Sequence, residues 1–173
     1  MTVTAVRKDP QALTMTIEAE FDATPERVWQ LWADPRKLER WWGPPGYPAT
    51  VTWHDLTRGG HIEYHMIGPD GAQHHGYWDV VEVEAPHRLA LSGGIANDDG
   101  TPKPPLGTMY VRIEAIGAGR TRMSLVSSFP NSAAMEEVLA MGTLEGQTQA
   151  VGQIDAILSE GAASHVAGPS SGL

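Results

Sequence analysis

The sequence contains no cysteine, so disulfides, thiolate catalysis and zinc–thiolate sites are excluded. It contains no run of charge either: 12 Lys and Arg residues are scattered along 173 positions against 21 Asp and Glu, for a formal charge of −9. Gripping phosphates requires clustered basic side chains, so nucleic acid and anionic membrane surfaces are not expected partners. No apolar stretch approaches the roughly 18 residues of a membrane-spanning helix. Met1 to Asp9 lacks the apolar core and small-residue cleavage site of a secretory signal. The expectation is a cytoplasmic protein without membrane insertion.

What remains is ordinary globular material in one unit. The hydrophobic fraction is 41%, and the length suits a single core. We place one domain at 12–161, a flexible N-terminal arm at 1–11 and a flexible tail at 162–173. Gly168-Pro169-Ser170-Ser171-Gly172 in that tail cannot bury surface.

Within the domain, Leu13, Met15, Ile17, Ala19 and Phe21 alternate with polar residues, the pattern of a half-buried strand. Thr24-Pro25-Glu26 is a helix start, with an N-cap, a proline at the first helical position and an acid in the first turn. Asp34-Pro35 repeats the signal for a second short helix, which Gly43-Pro44-Pro45-Gly46 ends. Period-two segments separated by turns then run from Tyr47 to Phe129, and Gly93 to Gly107 reads as a surface loop. After Asn131 or Ser132, Val138, Met141, Leu144, Val151, Ile154 and Leu158 recur at helical spacing. They predict one helix of about 25 to 29 residues, about 40 Å long. Gly142, Gly146 and Gly152 each weaken it by about 1 kcal/mol, which implies a return such as close approach to the sheet or room for a ligand. The expected architecture is α+β: a curled antiparallel sheet of about seven strands around a long C-terminal helix, with two short helices after the first strand.

Several motifs, taken in order, resemble one family. Asp22-Ala23-Thr24-Pro25-Glu26-Arg27-Val28-Trp29, Trp32-Ala33-Asp34-Pro35, Leu38 and Trp41-Trp42-Gly43-Pro44 resemble the opening of the START-related SRPBCC superfamily. Asp55-Leu56, Arg58-Gly59-Gly60, Gly68-Pro69-Asp70-Gly71, Glu82, Pro86, Arg88 and Leu89 continue the match. Within it the chain is similar to the branch named after the C-terminal domain of the activator of the ninety-kilodalton heat-shock protein ATPase. The resemblance implies a helix-grip fold with a pocket between sheet and last helix, and a hydrophobic small molecule as partner. It also implies a glycine followed by an aromatic in that helix. Here Gly146 is followed by Gln147, which makes the pocket more polar or roomier. The namesake's extra N-terminal domain has no room in this chain, so a chaperone is a weakly supported partner.

The histidines raise the question of a metal. His61, Glu63 and His65 share one strand face, and His54, Asp55, His74 and His75 lie nearby in sequence. Residues i and i+4 of a strand stand about 13 Å apart, too far for two ligands at about 2.1 Å from one ion. Solvated histidines are therefore expected, with no metal and no cofactor. No nucleophile motif occurs, so no catalytic residue is assigned. If the protein is an enzyme, His75, Tyr77 and Asp79 on one strand face are the candidates for proton transfer.

Six Trp against two Phe is an unusual balance, and four of the six fall in the two short helices. Trp29 and Trp32 suit core packing, while Trp41 and Trp42 stand beside the expected mouth. By sheet face and helix position the ligand-binding candidates are Trp42, Tyr47, Trp53, Tyr64, Met66, Tyr77, Met109, Met123, Leu139 and Gln147. The first reading is a non-catalytic binder of an aromatic or lipid-like molecule. The alternatives are a polyketide-cyclase-like enzyme using the same cavity, and a protein-interaction module, either a chaperone helper or a homodimer.

Overall fold

A computed structural model describes residues 3–160. The predicted tail at 162–173 and the first two residues of the predicted arm lie outside them. The chain runs β1 (Val3–Asp9), β2 (Thr14–Phe21), α1 (Pro25–Ala33), α2 (Pro35–Trp42), β3 (Ala49–His54), β4 (His61–Ile67), β5 (Gln73–Glu84) and β6 (Arg88–Ile95). It continues through β7 (Gly107–Gly117), β8 (Arg120–Ser128), α3 (Ser132–Ala140) and α4 (Thr143–Gly152), then a helical run over residues 154–160. The helix-grip class holds. A curled, unclosed antiparallel sheet in the order β1-β2-β8-β7-β6-β5-β4-β3 faces the C-terminal helices. No helix of the described residues is long and apolar enough to cross a membrane.

The sheet has eight strands rather than seven because part of the expected arm is a strand. Val3–Asp9 pairs antiparallel with β2, with Val6 opposite Ile17 and Lys8 opposite Met15. Its side chains are mostly exposed, so backbone hydrogen bonds hold it and no apolar alternation marks it. Asp9 shapes the turn into β2: its carboxylate accepts the backbone N–H groups of Gln11 at 3.0 Å and Ala12 at 3.1 Å.

The two short helices begin where their caps are. The Thr24 hydroxyl accepts the Arg27 N–H, and the Asp34 carboxylate accepts that of Arg36 at 2.9 Å. Each satisfies a backbone donor that the first helical turn leaves unpaired. Val28, Trp29, Leu31, Trp32, Leu38, Trp41 and Trp42 are buried beneath them. Trp32 meets Trp41 edge-on at 4.8 Å between centroids. The Trp41 indole donates to the Leu31 carbonyl at 2.9 Å.

The long final helix is broken. Gly142 takes a left-handed conformation, φ 76°, between α3 and α4, and a turn at Gln153 separates α4 from residues 154–160. Helical spacing continues across both breaks, which is why the pattern reads as one helix. Only a residue tolerant of positive φ can stop a helix in this way, and glycine does so without a Cβ penalty. The later part is anchored to the short helices. Gln153 Nε2 donates to the carbonyls of Trp41 at 3.2 Å and Gly43 at 2.7 Å. Arg27 donates to the Leu158 carbonyl at 2.6 Å, and Arg40 pairs with Glu160 at 2.6 Å.

Candidate functional site

The inward face of the sheet is not filled along its whole length. At the α1 end, Trp32 and the core side chains close it. At the other end a cavity of about 640 Å³ lies between the sheet and the helical segments from α3 into α4. Gly142, Gly146 and Gln147 border it, so two of the helical glycines face this space. A Cβ on Gly146 would meet only Pro44 Cγ, at 3.8 Å. Gly146 therefore keeps the cavity open without being required by a close contact.

One wall is an aromatic box. Trp42 meets Trp78 at 4.7 Å and 68°, Tyr64 meets Trp78 at 5.2 Å, and Trp42 meets Tyr64 at 6.1 Å and 82°. Tyr64 fits because its cross-strand partner is Gly76; a Cβ there would stand 2.4 Å from Tyr64 Cζ. Burial pushes the Tyr64 phenol up from its ordinary 10.0, with the neighbouring Trp42 indole acting in the opposite sense. That indole N–H is buried yet falls short of hydrogen-bond geometry with any described group. Such orphans are rare, because a buried donor without a partner costs about 1–3 kcal/mol. Met66 and Met109 extend the apolar wall, and Tyr47 stands at the rim with His74, ring centroids 5.9 Å apart.

Of the ten ligand-binding candidates, Trp42, Tyr47, Tyr64, Met66, Met109 and Gln147 border this cavity. The other four do not, each for a definable reason. A bulge between Val51 and Trp53 breaks the alternation of β3 and pairs Trp53 with Glu63, leaving it 59% exposed on the outer face. Tyr77 follows Gly76 and precedes Trp78, so it points to the opposite face. There it stacks on His61 at 5.9 Å and donates its hydroxyl proton to the Lys103 carbonyl. Met123 is on the inward face of β8 but at the end that α1 covers, where its sulfur accepts the Trp32 indole N–H at 3.4 Å. Leu139 packs against the core, while Val138 and Met141 face the cavity.

Trp78 is the principal residue that sequence reasoning missed. The alternation that groups His75, Tyr77 and Asp79 also groups His74, Gly76 and Trp78, so the signal was present. Of the proton-transfer candidates, only His75 borders the cavity. Asp79 instead accepts from His61 Nδ1 at 2.8 Å on the outer face. Burial and the Asp79 charge raise the Tyr77 phenol above its usual value. Beside them, His61 Nε2 lies 3.9 Å from Glu63, and the His65 and His75 rings stand 5.6 Å apart. Among the described residues no three His, Asp or Glu side chains converge on a point where a metal could sit. His54 is committed elsewhere, to the Trp32 carbonyl at 2.9 Å.

A family model described as activator of Hsp90 ATPase homolog 1-like protein matches residues 22–159. The chain belongs to this family. Two solved structures resemble it over nearly their whole length. A protein from Arthrobacter aurescens is 45% identical, with a TM-score of 0.87, covering 92% of this chain and 93% of its own. A protein from Mycobacterium smegmatis is 43% identical, with a TM-score of 0.83, covering 91% and 98%. A Silicibacter pomeroyi protein described as AHSA1 shares the fold at 23% identity and a TM-score of 0.69, covering 84% and 97%. No curated protein matches the chain. Membership in the AHSA1-like family places the motifs of the two short helices within a shared helix-grip frame. The cavity residues of this chain carry the functional argument.

Proposed function

We propose that this AHSA1-like protein binds one hydrophobic small molecule, aromatic or lipid-like, in the cavity between the sheet and the C-terminal helices. One observation carries the reading: an apolar hollow of about 640 Å³ bordered by Trp42, Trp78, Met66 and Met109. Pockets of about 300–1,000 Å³ take drug-sized molecules. Burial of apolar ligand surface would contribute about 25 cal/mol per Å², offset by the cost of immobilising the ligand. Methionine side chains adapt to irregular shapes, which suits such a wall. The reading is binding without turnover, because His75 alone of the proton-transfer candidates borders the space a substrate would occupy, and Tyr77 and Asp79, its expected partners, face away from it.

Titration with Nile red, a neutral apolar dye, tests it. Wild-type protein should bind one dye saturably with blue-shifted emission. Gly146→Phe, which projects a ring into the cavity, should weaken binding at least tenfold. Trp53→Ala, on the outer face, should leave the affinity within twofold. Absence of saturable binding, or unchanged affinity in Gly146→Phe, overturns the proposal. Native mass spectrometry of freshly purified protein would identify a molecule carried through purification.

A further inference from the structure

The aromatic box contains a polar arrangement that packing alone does not account for. Trp42 Nε1 is the buried side-chain polar atom left without a partner among the described residues. It lies beside the Tyr64 hydroxyl, the oxygen nearest to serve as its acceptor, and the indole acts on that phenol as a side-chain hydrogen-bond neighbour. Tyr64 borders the cavity. A tryptophan indole can only donate, whereas a phenol can donate and accept. When the Trp42 N–H is received by the Tyr64 oxygen, the phenolic proton is the group left over to serve the cavity. The pair then presents one donor and demands an acceptor. Water could supply it, but the surrounding rings of Trp42, Trp78 and Tyr64 offer few further polar groups to hold one, and a buried water needs two to four.

The charge of the lining narrows the acceptor. No Lys or Arg is among the residues that border the cavity, and its acid is Glu145. Its two imidazoles carry no permanent charge: His74, at the rim, is exposed, and His75 is half-buried beside the His65 ring. A carboxylate or phosphate buried here would lose its hydration without a fixed cation in return, a cost of several kcal/mol. An uncharged carbonyl oxygen accepts one hydrogen bond without that cost.

We infer that Tyr64, backed by the Trp42 indole, forms a hydrogen-bond donor subsite that selects an uncharged aromatic ligand bearing a carbonyl oxygen. This rests on the proposed binding function and specifies its ligand class. The rings of the ligand stack within the box, and the carbonyl receives the phenolic proton as a hydrogen bond with no proton transfer. At neutral pH the phenol stays protonated, since burial raises its pKa from 10.0. Fatty acids and other anionic amphiphiles are disfavoured in the same cavity.

Three naphthalenes of similar size separate the terms: 2-acetylnaphthalene, 2-ethylnaphthalene and 2-naphthoate, titrated into ¹⁵N-labelled full-length protein. The acetyl compound should bind about tenfold tighter than the ethyl compound, as one neutral hydrogen bond in a dry site allows. Naphthoate should bind weakest. The Trp42 indole N–H resonance, assigned by its loss in Trp42→Phe, should move downfield with the acetyl compound and much less with the ethyl compound. Tyr64→Phe keeps the ring over Gly76 and should erase the acetyl advantage while leaving ethylnaphthalene affinity within twofold. Equal affinity for the acetyl and ethyl compounds overturns the inference and leaves the cavity reading standing. So does an acetyl advantage that survives Tyr64→Phe, or naphthoate binding tightest. Failure of all three compounds to bind overturns both.

Discussion

The phenol end of Tyr64 packs over Gly76 on the neighbouring strand, so close that a Cβ on the glycine would stand 2.4 Å from the phenol Cζ. The glycine is thus a seat for the ring, and the ring covers backbone that a glycine leaves bare. Gly76→Ala should destabilise the fold by about 1–3 kcal/mol, as overpacking does, and should push Tyr64 off the strand. In a Tyr64→Ala background the same substitution should be close to neutral. Urea unfolding of the four proteins checks this: residues in contact give non-additive costs, and simple additivity would refute the close packing.

The helical glycines should separate by backbone conformation. Gly142 has φ 76° and nothing within 4 Å of a built Cβ, so the penalty for Gly142→Ala is conformational, about 1–2 kcal/mol for a left-handed residue. Gly152 also has open space but no positive φ. Gly152→Ala should therefore stabilise the protein by about 0.5–1 kcal/mol through helix propensity. Thermal denaturation should shift the two melting temperatures in opposite directions.

Alkaline pH should unfold the protein through its buried phenols. The Tyr64 pKa is raised from 10.0 by burial, and that of Tyr77 by burial and by Asp79. The folded state therefore holds these protons more tightly than the unfolded chain does. Their contribution to stability should be level below pH 10 and be lost as pH rises toward and through the folded-state values, because the unfolded state then gains by releasing protons. Tyr64→Phe should flatten part of that slope, measured as unfolding free energy against pH. A slope unchanged in Tyr64→Phe would show that Tyr64 titrates normally.

Local signals carried much of this site. Period-two alternation placed Tyr64 and Met66 on one face, and the Gly-Pro-Pro-Gly stop placed Trp41 and Trp42 beside the mouth. The same rule misplaced Trp53, since one extra residue at the β3 bulge reverses the facing of everything after it, and a bulge leaves no mark in hydrophobic pattern. It held for β5, where Trp78 could have been chosen over Tyr77 by counting from Gly76. Met123 shows another limit. Its face was right, but which end of the sheet α1 covers depends on how the chain folds back.

The amino-acid sequence alone determined the elements that announce themselves locally: capped short helices, alternating strands, glycine-marked turns and the absence of thiol chemistry. Tertiary structure decided which end of the curled sheet stays hollow, that an exposed N-terminal stretch serves as its edge strand, and that the last helix bends at Gly142. The physical reason is range. Caps and alternation act over a few residues, whereas the cavity depends on Trp42, Tyr64 and Trp78 meeting from three separate elements, a closeness that no neighbouring residues encode.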